Sequence, residues 1–346
     1  MAGTGVNQVA RAAGVSIATV SRVINQPELV APSTRDRVNE AMERLNYHVN
    51  TAASSLRRGH AKAISLVVAS MSQPWYVKLV RALRQEISVR GYATMIYDLE
   101  HNSQTLVKYL DTVQYQGVSG IILATGDFLD SPEVVSAITK AHQTTPLVVI
   151  GQHIGDAPWP TIQFNDVRAS YEATKMLLDQ SPGPVAFLGR LKNSYLAGER
   201  LKGYELAIEE RHGTTIAAEV WDISHFDYAA GHREVTNALR RGPFPRAILC
   251  VNDELALGAL RAIADCGFRT PEDVRVMGYG NTDFLEYVLP SLSSVDGSAV
   301  SAASVALEAL WASLEGKPTQ PLTILERRIV LRESTGHHHV AWRHNS

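Results

Sequence analysis

A glycine between two short apolar runs constrains the start of this 346-residue chain more than any other feature. Gly14 sits where the run Val9, Ala10, Ala13 stops and the run Val15, Val20, Val23 starts. A tight helix-to-helix turn needs a residue that accepts positive φ, and glycine does so at little cost. Ser16 stands where a hydroxyl can cap the second helix by accepting a backbone N–H. At helical spacing Val20 and Val23 share the inward face, leaving Ile17, Ala18, Ser21, Arg22 and Asn25 outward. Ala10, Ala13 and Ala18 are small enough for close helix packing. Pro32 suits the first turn of a third helix running to about Leu45, with Val38, Ala41, Met42 and Leu45 as its apolar stripe. The spacing predicts a helix-turn-helix whose outward face is small, polar and basic, as entry into a DNA groove requires. The competing possibility is a three-helix module that only packs on a larger body.

Charge is distributed to match. Residues 1–60 carry seven basic side chains (Arg11, Arg22, Arg35, Arg37, Arg44, Arg57, Arg58) against four acids (Glu28, Asp36, Glu40, Glu43). That segment is therefore net positive by three, and with a total of −2 the remainder is net negative by five. The net positive balance is local to the part predicted to meet nucleic acid. The chain is too long for one ordinary core, so two or three domains are expected.

No charged segment followed by an apolar one opens the chain, and no apolar run approaches the ~20 residues that span a bilayer, so a cytoplasmic protein with no membrane contact is expected. Cys250 and Cys266 lack a CxxC spacing and read as buried thiols in a reducing compartment. His337, His338, His339 and His344 read as a disordered end of the chain, with no metal and no cofactor expected.

From Ala61 onward, compact apolar runs alternate with amphipathic stretches. Strands are read at 64–69, 93–97, 120–124 and 147–150, with helices near 75–90, 103–115 and 132–141. The theme repeats with strands at 185–188, 220–221, 247–250 and 274–278 and helices near 168–179, 198–210, 228–240 and 254–266. Two α/β lobes with parallel sheets are implied. A last helix near 299–314 and the run 323–331 look returned to those lobes. Ligands of such sheets sit beyond the carboxyl ends of the strands, and two facing lobes make a closable cleft there. The strand-end candidates are Ser70, Gln73, Trp75, Tyr76, Gln152, His153, Phe164, Arg190, Arg200, Phe226, Asn252, Asp253 and Asn281. Ordinary roles compete: Trp75 and Tyr76 as core aromatics, Asp253 as an N-cap, Arg200 as a partner for Glu199.

The residues V-A-x-x-A-G-V-S-x-x-T-V-S-R-V-x-N from Val9, then T-R-x-x-V, A-M-x-x-L-N-Y and N-x-x-A-x-x-L-x-x-G, carry a specific resemblance to the lactose-repressor/galactose-repressor (LacI/GalR) family. It extends more loosely to about Arg332. The resemblance implies an N-terminal all-α helix-turn-helix head on an α/β two-lobed, periplasmic-binding-protein-like body. It implies base readers at Ile17, Ala18 and Arg22, and phosphate neighbours at Ser16, Thr19, Ser21, Asn25 and Thr34. Ile17 and Ala18 offer apolar contact to thymine methyls, whereas Arg22 can grip a guanine. It further implies a hinge helix around Ala53 and Leu56 that pairs with a second copy in the minor groove. There Leu56 wedges between base pairs and Arg57 and Arg58 lie against phosphates. The first helix opens with Gly5-Val6-Asn7-Gln8, and Ala31 precedes Pro32; both depart from the family pattern.

Arg200-Leu201-Lys202-Gly203-Tyr204 resembles the family's R-x-x-G-F/Y, whose arginine grips the effector. Two acids of the sugar-sensing relatives are replaced by Gly151 and Gly280. With Arg190, Lys192, Arg200 and His153 nearby, the cleft is expected to favour a sugar acid or phosphorylated sugar over a neutral sugar.

The expected domains are residues 1–47 (helix-turn-helix), 48–60 (hinge), 61–335 (body) and 336–346 (tail). Within the body, lobe 1 spans about 61–162 and 293–321, and lobe 2 about 163–292 and 322–335. The expected function is a sequence-specific transcriptional regulator, a repressor, binding a palindromic double-stranded operator as a homodimer under control of a carbohydrate-like effector. No heptad repeat follows Arg332, so a coiled-coil tetramer is not expected. An exported sugar-binding protein would share the body but not the head. An enzyme would need a G-x-G-x-x-G, G-K-[ST] or G-x-S-x-G element, and none occurs.

Overall fold

The computed structural model describes residues 6–25, 29–45, 63–181, 183–190, 192–212 and 218–337. The segment containing Ala53, Leu56, Arg57 and Arg58, and the tail from His338, lie outside the described residues. The chain forms two units, divided after Ala61.

The first unit holds α1 (Val6–Ala13), α2 (Ile17–Asn25) and α3 (Pro32–Arg44). Gly14 has φ +63°, as its place between two helices predicted. Val15 N donates to Ala10 O and Gly14 N to Arg11 O, which closes α1 as a Schellman motif. Val9, Val20 and Val38 meet in a fully buried centre, with Ala10, Ala13, Val23 and Ala41 around them. Three short helices survive because each presents its stripe to the other two; none is long enough to persist alone.

The second unit contains two six-stranded sheets. The first is built from β1 (Ala63–Val68), β2 (Ala93–Asp98), β3 (Gly120–Ala124), β4 (Leu147–Ile150), β5 (Thr161–Phe164) and β11 (Leu322–Leu325), in the order β11-β5-β4-β3-β1-β2 and parallel throughout. The second uses β6 (Val185–Arg190), β7 (Glu219–Asp222), β8 (Ala247–Cys250), β9 (Arg275–Gly280), β10 (Ser293–Asp296) and β12 (Ile329–Val330), in the order β12-β10-β9-β8-β6-β7. There β12 alone runs antiparallel to its neighbour. The covering helices are α4 (Pro74–Val89), α5 (Ser103–Thr112), α6 (Pro132–Thr144), α7 (Asp166–Gln180), α8 (Tyr195–His212), α9 (Tyr228–Arg241), α10 (Asp253–Asp265) and α11 (Ala299–Leu314). Every residue of β1, β3, β4 and β8 is buried, the signature of a parallel sheet covered on both faces.

The chain crosses between the lobes three times, and the crossings differ from those expected. Strand β10, expected in lobe 1, pairs with β9 in lobe 2; strand β11, expected in lobe 2, pairs with β5 in lobe 1. The crossings fall after Phe164, between Asp296 and Ala299, and between Leu325 and Ile329. Strands β5 and β10 escaped the sequence reading because Thr-Ile-Gln-Phe and Ser-Ser-Val-Asp carry little apolar signal. Ser293 and Ser294 are nonetheless fully buried, since side-chain hydrogen bonds replace water. Cys250 is buried as expected, whereas Cys266 is partly exposed.

Candidate functional site

In the first unit Ser16 Oγ accepts the Thr19 backbone N–H at 3.1 Å, the predicted cap of α2. Ile17, Ala18, Ser21 and Arg22 are exposed and Thr19 and Thr34 half-buried. Ile17 is 50% exposed, a large apolar side chain held out of the core. Asn25 ends α2, and its side chain lies outside what is described.

The second unit holds a cavity of about 700 Å³ between its two lobes, counting its open mouth. It lies at the carboxyl ends of the strands, where doubly wound sheets place ligands. Trp75, Tyr76, Phe164, Phe226 and Tyr279 give it aromatic walls. The Tyr76 hydroxyl, buried, accepts Gly126 N at 3.0 Å, and Trp75 Nε1 donates to Gly297 O at 2.9 Å. Both aromatics thus line the cavity while tying loops of it together.

Arg200 and Arg327 converge on Asp166, the first residue of α7. Arg200 Nε lies 3.0 Å and Arg327 Nε 2.9 Å from the same Oδ1. Arg200 also donates to Val251 O and stacks 3.8 Å over Tyr279, while Arg327 stacks 3.9 Å over Phe164. Burial alone would push the Asp166 carboxyl up, but Arg327 and Arg200 together hold it below the usual carboxylate range.

Asp253 is buried and accepts three hydrogen bonds: Thr282 N at 3.0 Å, Thr282 Oγ1 at 3.2 Å and Ser294 Oγ at 2.6 Å. Burial nevertheless pushes its carboxyl up. The N-cap of α10 is Asn252 rather than Asp253: its Oδ1 accepts Leu255 N at 2.9 Å. Asn252 Nδ2 donates to the backbone Phe226 O, which ties the loop carrying that ring to the start of α10.

Of the sequence candidates, Gln73, Trp75, Tyr76, Phe164, Arg200, Phe226, Asn252 and Asp253 line the cavity, and Ser70, Gln152, His153 and Asn281 do not. Ser70 bonds Ser72; Gln152 accepts Leu129 N and donates to Asp130; Asn281 Oδ1 accepts Arg332 Nη2. All three spend their polar atoms on loop structure. Arg190 ends β6 with its side chain outside what is described, and Lys192 is exposed and does not line the cavity. Of the expected cations whose side chains are described, Arg200 lines the cavity, and it shares the Asp166 carboxylate with Arg327.

The sequence reading missed His101, Asp127, Glu254, Tyr279, Thr282 and Arg327. Glu254 and Thr282 adjoin candidates that were named, Asp253 and Asn281. Arg327 comes from a crossing that no strand-end rule reaches.

A family profile described as "Periplasmic binding proteins and sugar binding domain of LacI family" matches residues 61–315, and one described as "Bacterial regulatory proteins, lacI family" matches residues 6–50. The chain belongs to the LacI family. It is 31% identical to the ribose operon repressor of Haemophilus influenzae, over 94% of this chain and 97% of that one. Among solved structures, the lac repressor dimer bound to operator and the anti-inducer ONPF shares its fold, with TM-score 0.83 and 24% identity over 96% of this chain and 99% of that one. A cellobiose complex of the transcriptional regulator CelR is 26% identical, with TM-score 0.68 and the same coverage of each.

As a LacI-family protein, the chain is a DNA-binding regulator with a small-molecule-binding body. Its relatives are regulators and not enzymes. Among the described residues no helix is long and apolar enough to cross a membrane.

The glycines at the two positions of the missing acids have a structural cause. A Cβ on Gly280, where φ is +135°, would stand 2.9 Å from Asp253 Oδ2. One on Gly151 would stand 2.3 Å from Thr125 O.

Proposed function

We propose that this LacI-family regulator is a cytoplasmic repressor that acts as a homodimer on a palindromic operator, with a carbohydrate-derived effector held between its lobes. Ile17, Ala18 and Arg22 read bases, and Ser16, Thr19, Ser21, Asn25 and Thr34 stand near phosphates. Ala53, Leu56 and Arg57 engage the minor groove. One helix-turn-helix reads a half-site, so a two-fold assembly matches a palindrome.

The single observation that carries the reading is the cavity itself: aromatic walls with hydrogen-bonding side chains at the lobe junction, in a chain whose α2 turns a small, basic face to solvent. Aromatic faces suit the C–H surfaces of a sugar ring, and the polar side chains suit its hydroxyls. The names of the ribose operon repressor and of the CelR–cellobiose complex support the ligand class. Trp75, Tyr76, Phe164, Arg200, Phe226 and Asn252 are the effector contacts we assign. Closure of the lobes on the effector would bias operator affinity by a coupling free energy of ~1–3 kcal/mol.

Fluorescence anisotropy with labelled palindromic DNA from upstream of its own gene tests this. Specific binding that shifts with one sugar supports it. Equal binding to a scrambled duplex at every salt concentration overturns it.

A further inference from the structure

Three carboxylates line the cavity, and two are committed to protein donors. Asp253 takes its three hydrogen bonds from Thr282 and Ser294. Asp127 faces His101 Nδ1 at 3.0 Å and accepts Thr125 Oγ1 at 3.0 Å. Glu254 differs. It is only 7% exposed, sits in the first turn of α10 and opens on the cavity, and the hydrogen bond that supports its carboxylate comes from its own backbone N–H. A carboxylate offers about four lone-pair sites, so most of its accepting capacity is unmet. Neither oxygen is among the buried atoms without a partner, so that capacity is open to a donor entering the cleft.

The chemistry of the surroundings selects the donor. Arg200 and Arg327 bring two positive charges against the one of Asp166, and among the described residues the lining carboxylates Asp127, Asp253 and Glu254 outnumber what is left, so an anionic ligand would add to a surplus of acids. A cationic ligand would meet the two guanidiniums. Hydroxyl groups meet neither penalty, and the flat rings of Trp75, Phe164 and Phe226 accept the apolar face of a sugar ring.

We propose that Glu254 is the specificity-determining acceptor of the cleft, that it takes hydroxyl hydrogen bonds from a neutral sugar, and that effector binding is therefore linked to proton release. This rests on the effector reading above and replaces the expectation of a sugar acid or phosphate.

Burial pushes the Glu254 carboxyl up to about 7, with Asp253 raising it further and its own N–H and Arg200 opposing. Tyr76 of α4 and Tyr228 of α9 also face it, and His101, Asp127 and Arg327 lie across the same cavity. Hydroxyl donation favours the ionised carboxylate, so binding draws the proton off. Affinity for a neutral sugar should fall by about tenfold between pH 8 and pH 6.

The test starts with calorimetric titration of a panel of neutral aldoses and ketoses, with their acids and phosphates, at pH 8. The tightest neutral sugar is then titrated at pH 6, 7 and 8 into wild type and Glu254→Gln, and at pH 7 into wild type in two buffers of different ionisation enthalpy. The proposal expects a neutral sugar to bind, the pH dependence to be lost in Glu254→Gln, and protons to be released in the wild type. The buffer comparison needs no variant, so it decides even where Glu254→Gln fails to fold. Binding of acids or phosphates alone overturns the proposal but leaves a carbohydrate-responsive regulator standing. An unchanged pH profile in Glu254→Gln assigns the proton to another group and overturns it. Proton uptake overturns it as well. No binding by any compound of the panel overturns both this proposal and the carbohydrate reading.

Discussion

Asp166 and Arg327 form an ion pair across the lobe junction, with Arg327 Nε 2.9 Å from Asp166 Oδ1 and the two side chains 1% and 2% exposed. Asp166 follows the first crossing directly and Arg327 lies in the third. The aligned hydrogen bond runs from Arg327 Nη2 to Oδ2 at 3.3 Å, since the Nε–H lacks the geometry for one. Arg200 of α8 shares the same carboxylate, so one acid is the common counter-charge of two buried cations. This pins two of the strands of chain on which any lobe movement must turn.

Removing that acid leaves two buried guanidiniums short of a counter-charge. Asp166→Asn should lower stability by about 3–5 kcal/mol. The Asp166 carboxyl is held low in the folded state. Its contribution is therefore present above the ordinary carboxylate range and lost as pH falls through the depressed value. Urea midpoints measured from pH 6 down to pH 2.5 should show a steeper acid loss in wild type than in Asp166→Asn; parallel curves would contradict the pairing.

Restoring a side chain at Gly280 should not restore an effector contact. Its φ of +135° and the 2.9 Å approach to Asp253 Oδ2 leave no room for one. Gly280→Ala should cost about 1–3 kcal/mol. Thermal unfolding reads this directly, and an unchanged midpoint would show that Asp253 moves aside freely.

Arg22 is exposed on α2 and carries no share of the core. Arg22→Ala should weaken operator binding by about 1–3 kcal/mol and relax the preference at one base pair. Stability should stay within the scatter of surface substitutions. Anisotropy against single-base variants of the operator checks both parts; a uniform loss on all sequences would make Arg22 a phosphate contact instead.

Leu56→Ala should lower operator affinity and spare sugar binding, if a leucine wedge kinks the duplex. Equal operator affinities in wild type and variant would remove the hinge from the mechanism.

The head was almost fully legible in the sequence because its structure is local: a positive-φ glycine, a serine cap and three apolar stripes at helical spacing. The lobes were legible where strands are apolar, as in Ala247–Cys250, and illegible where they are not. Ser293 and Ser294 are buried through bonds to Ser334, Arg332 and Asp253, partners about forty residues distant that no periodicity announces. The same cause misplaced the crossing after β10, whereas Leu322–Leu325 lies in a run that was read but placed in the other lobe, because its pairing with β5 leaves no local pattern. In the cleft, the aromatic candidates Trp75, Tyr76, Phe164 and Phe226 lie where strand ends predicted. Gln152 and Asn281 were misread because a strand-end position fixes a residue's place but not the direction of its polar atoms. Arg327 was invisible because it reaches the cavity from a crossing.

Thermodynamic reciprocity gives the most direct measurement. A ligand and an operator coupled through one protein must change each other's affinity by the same factor, of order 5–150-fold. Operator dissociation constants measured with and without saturating sugar, and sugar dissociation constants with and without saturating operator, should give equal ratios in that range. An operator affinity that saturating sugar leaves unchanged would contradict the coupling of cleft to head.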